Sequence, residues 1–222
     1  MDLHITLRSD ASFASGEGVA GLIDSELQHD RHGLPYLRGR SLKGLLAEEC
    51  ANLLDSLARQ GGGPASEQLD KAAAALFGIP GADPRAQGRL YLGDARLPDD
   101  LRQTIASDIR GGRLTPVQVL ESLSAIRRRT AMNERGAPRT GSLRSQRVLL
   151  RETTLIAGVS FGEDPDPTQL ALLAACAMGL RRAGSDRNRG LGRLRVCLYE
   201  EDRDTTDRHW DCFTRLLEED RT

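Results

Sequence analysis

A chain of 222 residues with 39% hydrophobic side chains can bury a proper core, as one domain or as two small half-domains. Aromatic residues make up only 4%, which excludes an extensive base-stacking surface, and the net charge of -1 taken alone argues against a nucleic-acid binder. No secretory leader and no apolar run of roughly 18 residues is present, so a soluble, cytoplasmic protein with no membrane partner is expected.

In chain order, residues 3–9 alternate Leu3, Ile5 and Leu7 with His4, Thr6 and Arg8, which predicts a strand. Residues 10–32 lack periodicity and read as a long loop of the kind usually kept for function. From Ser41 the apolar set Leu42, Leu45, Leu46, Cys50, Leu53, Leu54 and Leu57 has helical spacing, with Ser41 as the expected cap and a stop at Gly61-Gly62-Gly63. A second helix is expected over about 67–76, ending at Gly78, and a short strand at 88–92 leads to Asp94. Thr115-Pro116-Val117-Gln118 carries a capping box and opens another helix. Residues 130–146, punctuated by Gly136, Pro138 and Gly141, read as an exposed arm, and 147–161 as strand-like. Asp166-Pro167-Thr168-Gln169 starts a strongly apolar helix, 191–199 is a strand, and 207–219 is a candidate terminal helix. The order strand, helix, strand, then strand, helix, strand predicts an α+β, ferredoxin-like split β-α-β core.

The small net charge hides a segregation. Residues 127–151 hold eight arginines and one acid, 181–195 hold six arginines and one acid, and 31–44 hold three arginines and a lysine with no acid. Residues 199–222 hold nine acids against four arginines and cancel this excess. Arginine offers a planar fork suited to phosphate. In Gly33-Leu34-Pro35-Tyr36-Leu37-Arg38-Gly39-Arg40-Ser41-Leu42-Lys43-Gly44 the cations stand where a helix begins, a natural anion site. On spacing alone the favoured reading is a solvated turn before a core helix; the rest of the chain changes the weighting. The loop Gly184 to Arg193 lies between a helix and a strand, which is the wrong context for a dinucleotide fingerprint; its arginines favour a phosphate-hugging loop over a plain helix stop. Cys50, Cys176, Cys197 and Cys212 show no CxxC pairing and read as small buried residues, not zinc ligands or a disulfide frame. By chemistry alone, Asp24 and Asp30 are turn formers.

Together these segments resemble the RAMP superfamily of CRISPR-associated proteins, most closely the backbone subunits of type III RNA-guided effector complexes. Four motifs carry the likeness. The first is Leu22-Ile23-Asp24-Ser25-Glu26 with Asp30, Gly33-Leu34-Pro35-Tyr36 and Gly39-Arg40-Ser41-Leu42-Lys43-Gly44. The second is Leu76-Phe77-Gly78 leading to Gly88-Arg89-Leu90 and Asp94. The third runs from Arg129-Thr130-Ala131-Met132 through Gly141-Ser142-Leu143-Arg144 to Arg147-Val148, and the fourth is the loop from Gly184 to Arg193.

The resemblance implies one RAMP domain over 1–222 with a ferredoxin-like (RRM-like) core. An insertion at 95–146 would hold a helix and a thumb-like arm, and 200–222 would be an acidic tail. It implies guide RNA, single-stranded target RNA, other effector subunits and further copies of the chain as partners. The implied RNA-binding set is Arg38, Arg40, Ser41, Lys43, Arg129, Arg144, Arg147, Arg187, Arg189 and Arg193. The aspartate that cuts target RNA in cleaving relatives matches Asp24, and Mg²⁺ or Mn²⁺ would serve that cleavage. Residues 16–22 with Gly39-Arg40-Ser41 are also similar to type III-D subunits, some of which need not cleave, so a non-cleaving guide-RNA-binding role is the alternative. A processing ribonuclease would want a histidine near the glycine-rich loop, and none lies between His32 and His209.

Overall fold

The computed structural model describes residues 1–18, 23–61, 63–79, 87–131 and 133–219. Leu22, Gly62, Met132 and the last three residues of the acidic stretch therefore lie outside the described residues. Strand β1 (Asp2–Leu7) keeps the predicted alternation: Leu3, Ile5 and Leu7 are fully buried. Helices α1 (Gly39–Arg59) and α2 (Pro64–Phe77) follow, then the short strand β2 (Leu90–Leu92). An insertion carries α3 (Asp99–Arg110), α4 (Pro116–Leu123) and a hairpin of β3 (Ser124–Arg129) and β4 (Arg144–Leu149). The chain returns through β5 (Thr154–Phe161), α5 (Pro167–Gly179) and β6 (Leu194–Glu200), and closes with β7 (Arg203–Asp204) and α6 (Thr206–Glu219).

The main sheet has the order β2-β5-β1-β6-β7, with antiparallel neighbours throughout. Its first four strands, with helices between β1 and β2 and between β5 and β6, form the ferredoxin-like split β-α-β arrangement inside an α+β fold. Ile5 stands opposite Leu155 on one side and Val196 on the other, so three adjacent strands turn apolar side chains to one face. Leu42 and Leu46 of α1, Leu69 and Leu76 of α2, and Leu172 of α5 join them in the core. Helix α5 is buried at every residue from Ala171 to Ala177, as its unbroken apolar sequence requires.

Two helix starts form as their local chemistry dictates. Thr115 and Gln118 make the reciprocal capping box on α4, and Asp166 Oδ1 accepts the Gln169 N–H at 2.8 Å to begin α5. The third differs. Helix α1 begins at Gly39, and its N-cap residue Arg38 makes no side-chain cap; Ser41 is an exposed residue inside the first turn. The cap comes instead from Asp94, just past β2, whose Oδ1 accepts the Gly39 N–H at 3.0 Å.

The strand-like stretch 147–161 divides into β4 and β5. Glu152 takes φ +68° in the turn between them, and Asp10 Oδ1 accepts the Arg151 N–H there. The arm is a β-hairpin: residues 144–146 belong to β4, and Asn133 Oδ1 ties the tip by accepting the N–H groups of Arg135 and Ala137. Residues 10–18 and 23–32 form no long strand, but isolated bridges pin them, Ala11 to Leu149, Ser12 to Ser185 and Ser25 to Gln146. Within the acidic stretch, α6 packs against α5 and buries Thr206, His209 and Phe213, and His209 Nε2 lies 2.8 Å from Glu200 Oε1.

Candidate nucleic-acid interface

The Gly39 start of α1 sits hard against β2: a Cβ at Gly39 would run into the Leu92 carbonyl oxygen, so only glycine brings the helix this close. Around that point a polar lattice holds the loop. Asp94 Oδ2 accepts from Arg96 Nη2 at 2.7 Å, and the Arg96 guanidinium lies 4.7 Å above the Tyr36 ring centroid. Asp30 Oδ1 accepts the N–H groups of His32 (2.8 Å) and Leu34 (3.1 Å), fixing the turn into the Pro35-Tyr36 segment. Partial burial works against ionisation of Asp94, but the Gly39 N–H and the Arg96 guanidinium outweigh it and hold the carboxyl below its ordinary value.

Beside this lattice is an open cleft of about 400 Å³ between the segment 12–14, the start of α1 and the glycine-rich loop. Ser12, Phe13, Tyr36, Arg38, Ser41 and Gly184 line it. Gly184 has φ +89°, and a Cβ there would meet the Ser12 backbone oxygen, so glycine is what lets the loop close over residue 12. Arg38 donates to Gln28 Oε1, and Gln28 Nε2 donates to the Tyr36 hydroxyl at 2.7 Å, so Arg38 is held over the cleft by a neutral partner. Arg40 is exposed, and its guanidinium has no hydrogen bond or ion pair among the described residues. The Ser12 hydroxyl is buried in the wall without a partner among the described residues.

The remaining sequence candidates separate by what they touch. Lys43 turns inward and donates to the Leu90 carbonyl at 2.7 Å; burial lowers its pKa. Arg187 at the cleft rim grips Glu48 with two nitrogens, at 3.1 and 2.9 Å, and this contact lowers the Glu48 pKa. Arg129 pairs with Asp186 at 2.7 Å, and Arg189 stands 3.8 Å from the same carboxylate. Arg147 is the most enclosed: its Nε meets Glu26 Oε1 at 2.8 Å, with the two side chains only 14% and 13% exposed. Arg144 projects from the hairpin and donates only to nearby carbonyls. Arg193 lies away from the cleft, in a second cavity beside Arg8 and Arg195.

Asp24 is exposed beside strand β4, toward the tip end of the β3–β4 ladder. Its N–H donates to the Ser145 carbonyl at 2.9 Å, and its Oδ2 accepts from the Ser145 N–H (2.7 Å) and hydroxyl (3.2 Å). The Ser145 backbone N–H holds the Asp24 carboxyl below the ordinary carboxylate range, with Arg144 nearby adding to the effect. Asp24 is therefore tied to β4 and not to its own turn. Sequence reasoning gave Asp94 no role, and missed Arg96, Gln28 and Ser12; an aspartate directly after a strand was the only local signal, and its partner lies 55 positions away.

No curated protein matches the chain. Among solved structures it is similar to a chain of Type III-B Cmr-beta in the apo state, with 14% identity and a TM-score of 0.60, covering 91% of this chain and 98% of that one. It is also similar to a chain of Type III-B Cmr-beta bound to cognate target RNA, with 13% identity and a TM-score of 0.58, covering 88% and 95%. The RAMP superfamily model matches residues 4–195, which include α1 to α5, the hairpin and every residue that lines the cleft at the start of α1, and the chain belongs to the RAMP superfamily.

Proposed function

We propose that this RAMP chain is a guide-RNA-holding subunit of a type III RNA-guided effector complex, working beside other subunits, with target RNA paired to the guide. The observation that carries the reading is the cleft at the start of α1, lined by Arg38, with exposed Arg40 two positions on; neither guanidinium has an ion pair among the described residues, and close-packed glycine backbone adjoins them. Side chains cannot read the deep groove of A-form RNA, so a guide holder needs phosphate and 2′-hydroxyl contacts and can leave sequence to base pairing. Arginine forks and glycine-rich backbone supply that; the 4% aromatic content suits no stacking platform. One similar structure was solved with cognate target RNA, which is in keeping with this ligand class. Among the described residues no helix is long and apolar enough to cross a membrane.

Anisotropy titration of the full chain with a single-stranded RNA at stepped salt tests the reading. Each phosphate contact contributes about -0.7 to the slope of log K against log salt, so Arg38→Ala with Arg40→Ala flattens the slope by about 1.4. An unchanged slope in the double variant, or salt-independent binding in the wild type, refutes it.

A second reading, cleavage of target RNA, is favoured by the exposure of Asp24 beside the arginine-rich hairpin, with Oδ1 accepting no hydrogen bond among the described residues. The lowered pKa makes Asp24 a fixed negative charge at neutral pH and a poor proton acceptor, so its role would be to position a 2′-hydroxyl. Among the described residues no group of three or more His, Cys, Asp or Glu could hold a metal ion. Among the described residues, one free carboxylate oxygen does not by itself make a cation site for Mg²⁺ or Mn²⁺.

A further inference from the structure

The second cavity, about 430 Å³, lies between the end of α5, strand β6 and the start of α6, and shares no lining residue with the cleft. Five arginines surround it: Arg8 after β1, Arg181 and Arg182 after α5, and Arg193 and Arg195 at the start of β6. One carboxylate, Asp207, lines it with them. Elsewhere many arginines are neutralised, as in Arg147 with Glu26, Arg187 with Glu48 and Arg127 with Asp10. Here the guanidinium groups of Arg8, Arg181, Arg193 and Arg195 make no hydrogen bond or ion pair among the described residues, and Arg182 donates only to the Arg187 carbonyl. Asp207, with Asp204 facing Arg195, offsets only part of the charge of five guanidinium groups, and an anion would relieve the remaining repulsion.

The floor sets the kind of anion. Met178, Leu180, Leu194 and Val196 give it an apolar surface. The outer edge of β6 adds a polar pair. Leu194 donates its N–H outward to the Arg181 carbonyl at 3.0 Å, and Leu198 donates outward to the Thr206 hydroxyl at 2.8 Å. By the two-residue period of a strand, the Val196 N–H and C=O between them also point outward, and neither has a partner among the described residues. The edge is closed on both sides of Val196, which leaves no run of backbone for an added peptide strand but suits the donor–acceptor edge of one base.

We infer that this cavity binds one nucleotide, its phosphate on Arg8, Arg193 and Arg195 and its base against the apolar floor and the Val196 backbone. The nucleotide belongs either to an RNA strand or to a free nucleoside phosphate; the chemistry is shared. The site stands apart from the guide-RNA reading, which rests on Arg38 and Arg40.

The test is calorimetric titration of the full chain with UTP, with a short single-stranded RNA and with octaglutamate, for the wild type, for Arg8→Gln with Arg195→Gln, and for Arg38→Ala with Arg40→Ala. The Arg8/Arg195 variant is expected to bind UTP at least tenfold more weakly, and to melt no lower than the wild type without ligand, because repulsion has been removed. The Arg38/Arg40 variant is expected to keep UTP affinity within twofold, so failure of the guide-RNA reading leaves this result standing. RNA affinity that falls together with UTP affinity in the Arg8/Arg195 variant assigns the site to a nucleotide of an RNA strand; RNA affinity that holds assigns it to a free nucleotide. UTP affinity within twofold of wild type in the Arg8/Arg195 variant overturns the inference, as does a wild type that does not bind UTP. Octaglutamate that binds more tightly than UTP and is lost in the same variant overturns it in favour of an acidic peptide.

Discussion

Replacing Asp94 tests whether the start of α1 is built from outside the helix. Asp94→Ala removes the acceptor of the buried Gly39 N–H, and no side chain of Arg38 or Ser41 takes its place. Loss of an N-cap acceptor costs roughly 0.5–2 kcal/mol, and a buried donor left unpaired costs about 1–3 kcal/mol; these describe the same event and are not summed. The Arg96 contact, a third exposed on both sides, adds at most about 1 kcal/mol. The expected loss is about 2–3 kcal/mol, or roughly 4–12 °C in melting temperature for a chain of this size. Asp94→Asn keeps an oxygen for Gly39 but loses the charge, and costs about 1 kcal/mol. The Asp94 carboxyl has a lowered folded pKa, so its contribution is fully present above the unfolded value of about 3.9 and fades as pH falls through the folded value. The gap between wild type and Asp94→Asn should therefore narrow below about pH 4. Urea or thermal unfolding at pH 7 and pH 3 measures both effects. An alanine variant within about 0.5 kcal/mol of wild type, the level of an ordinary surface change, would falsify the capping argument.

Asp24→Ala is expected to leave RNA binding within a few-fold and to slow target cleavage by an assembled complex on the order of 10²-fold, the cost of losing a positioning group; cleavage at the wild-type rate removes Asp24 from the chemistry. Trypsin should cut the free chain first at Arg135 or Arg139 in the exposed hairpin tip, and guide–target duplex in the assembled complex should protect both sites; equal rates in the two states argue against contact with the duplex. Glu48→Gln removes the acid lining the cleft and releases Arg187, so RNA affinity at low salt should rise several-fold, with a steeper salt slope; weaker binding would mean that Arg187 acts only as a rim support.

Local patterns in the sequence determined the order of the core elements and the fold class. The alternation in β1, the leucine spacing of α1, the Thr115–Gln118 capping box and the Asp166 cap all involve residues within a turn or two of each other, where backbone geometry is set. Asp30 was legible for the same reason, since its turn closes on His32 and Leu34. Helix α3 was not foreseen: none of its residues is buried, and of its apolar residues Leu101 is exposed while Ile105 and Ile109 are only partly buried. Segment charge located the basic regions but not which arginines are free. Arg147 meets Glu26 across 121 positions and Arg187 meets Glu48 across 139, so only the tertiary structure removes them from the free set. The same long-range closure brings Asp94 to the start of α1, binds Asp24 to Ser145, and gathers Arg8 with Arg193 and Arg195 around one cavity. A helix cap or an ion pair depends on distances of about 3 Å, and such distances between residues far apart in the chain exist only after the sheet has set its register.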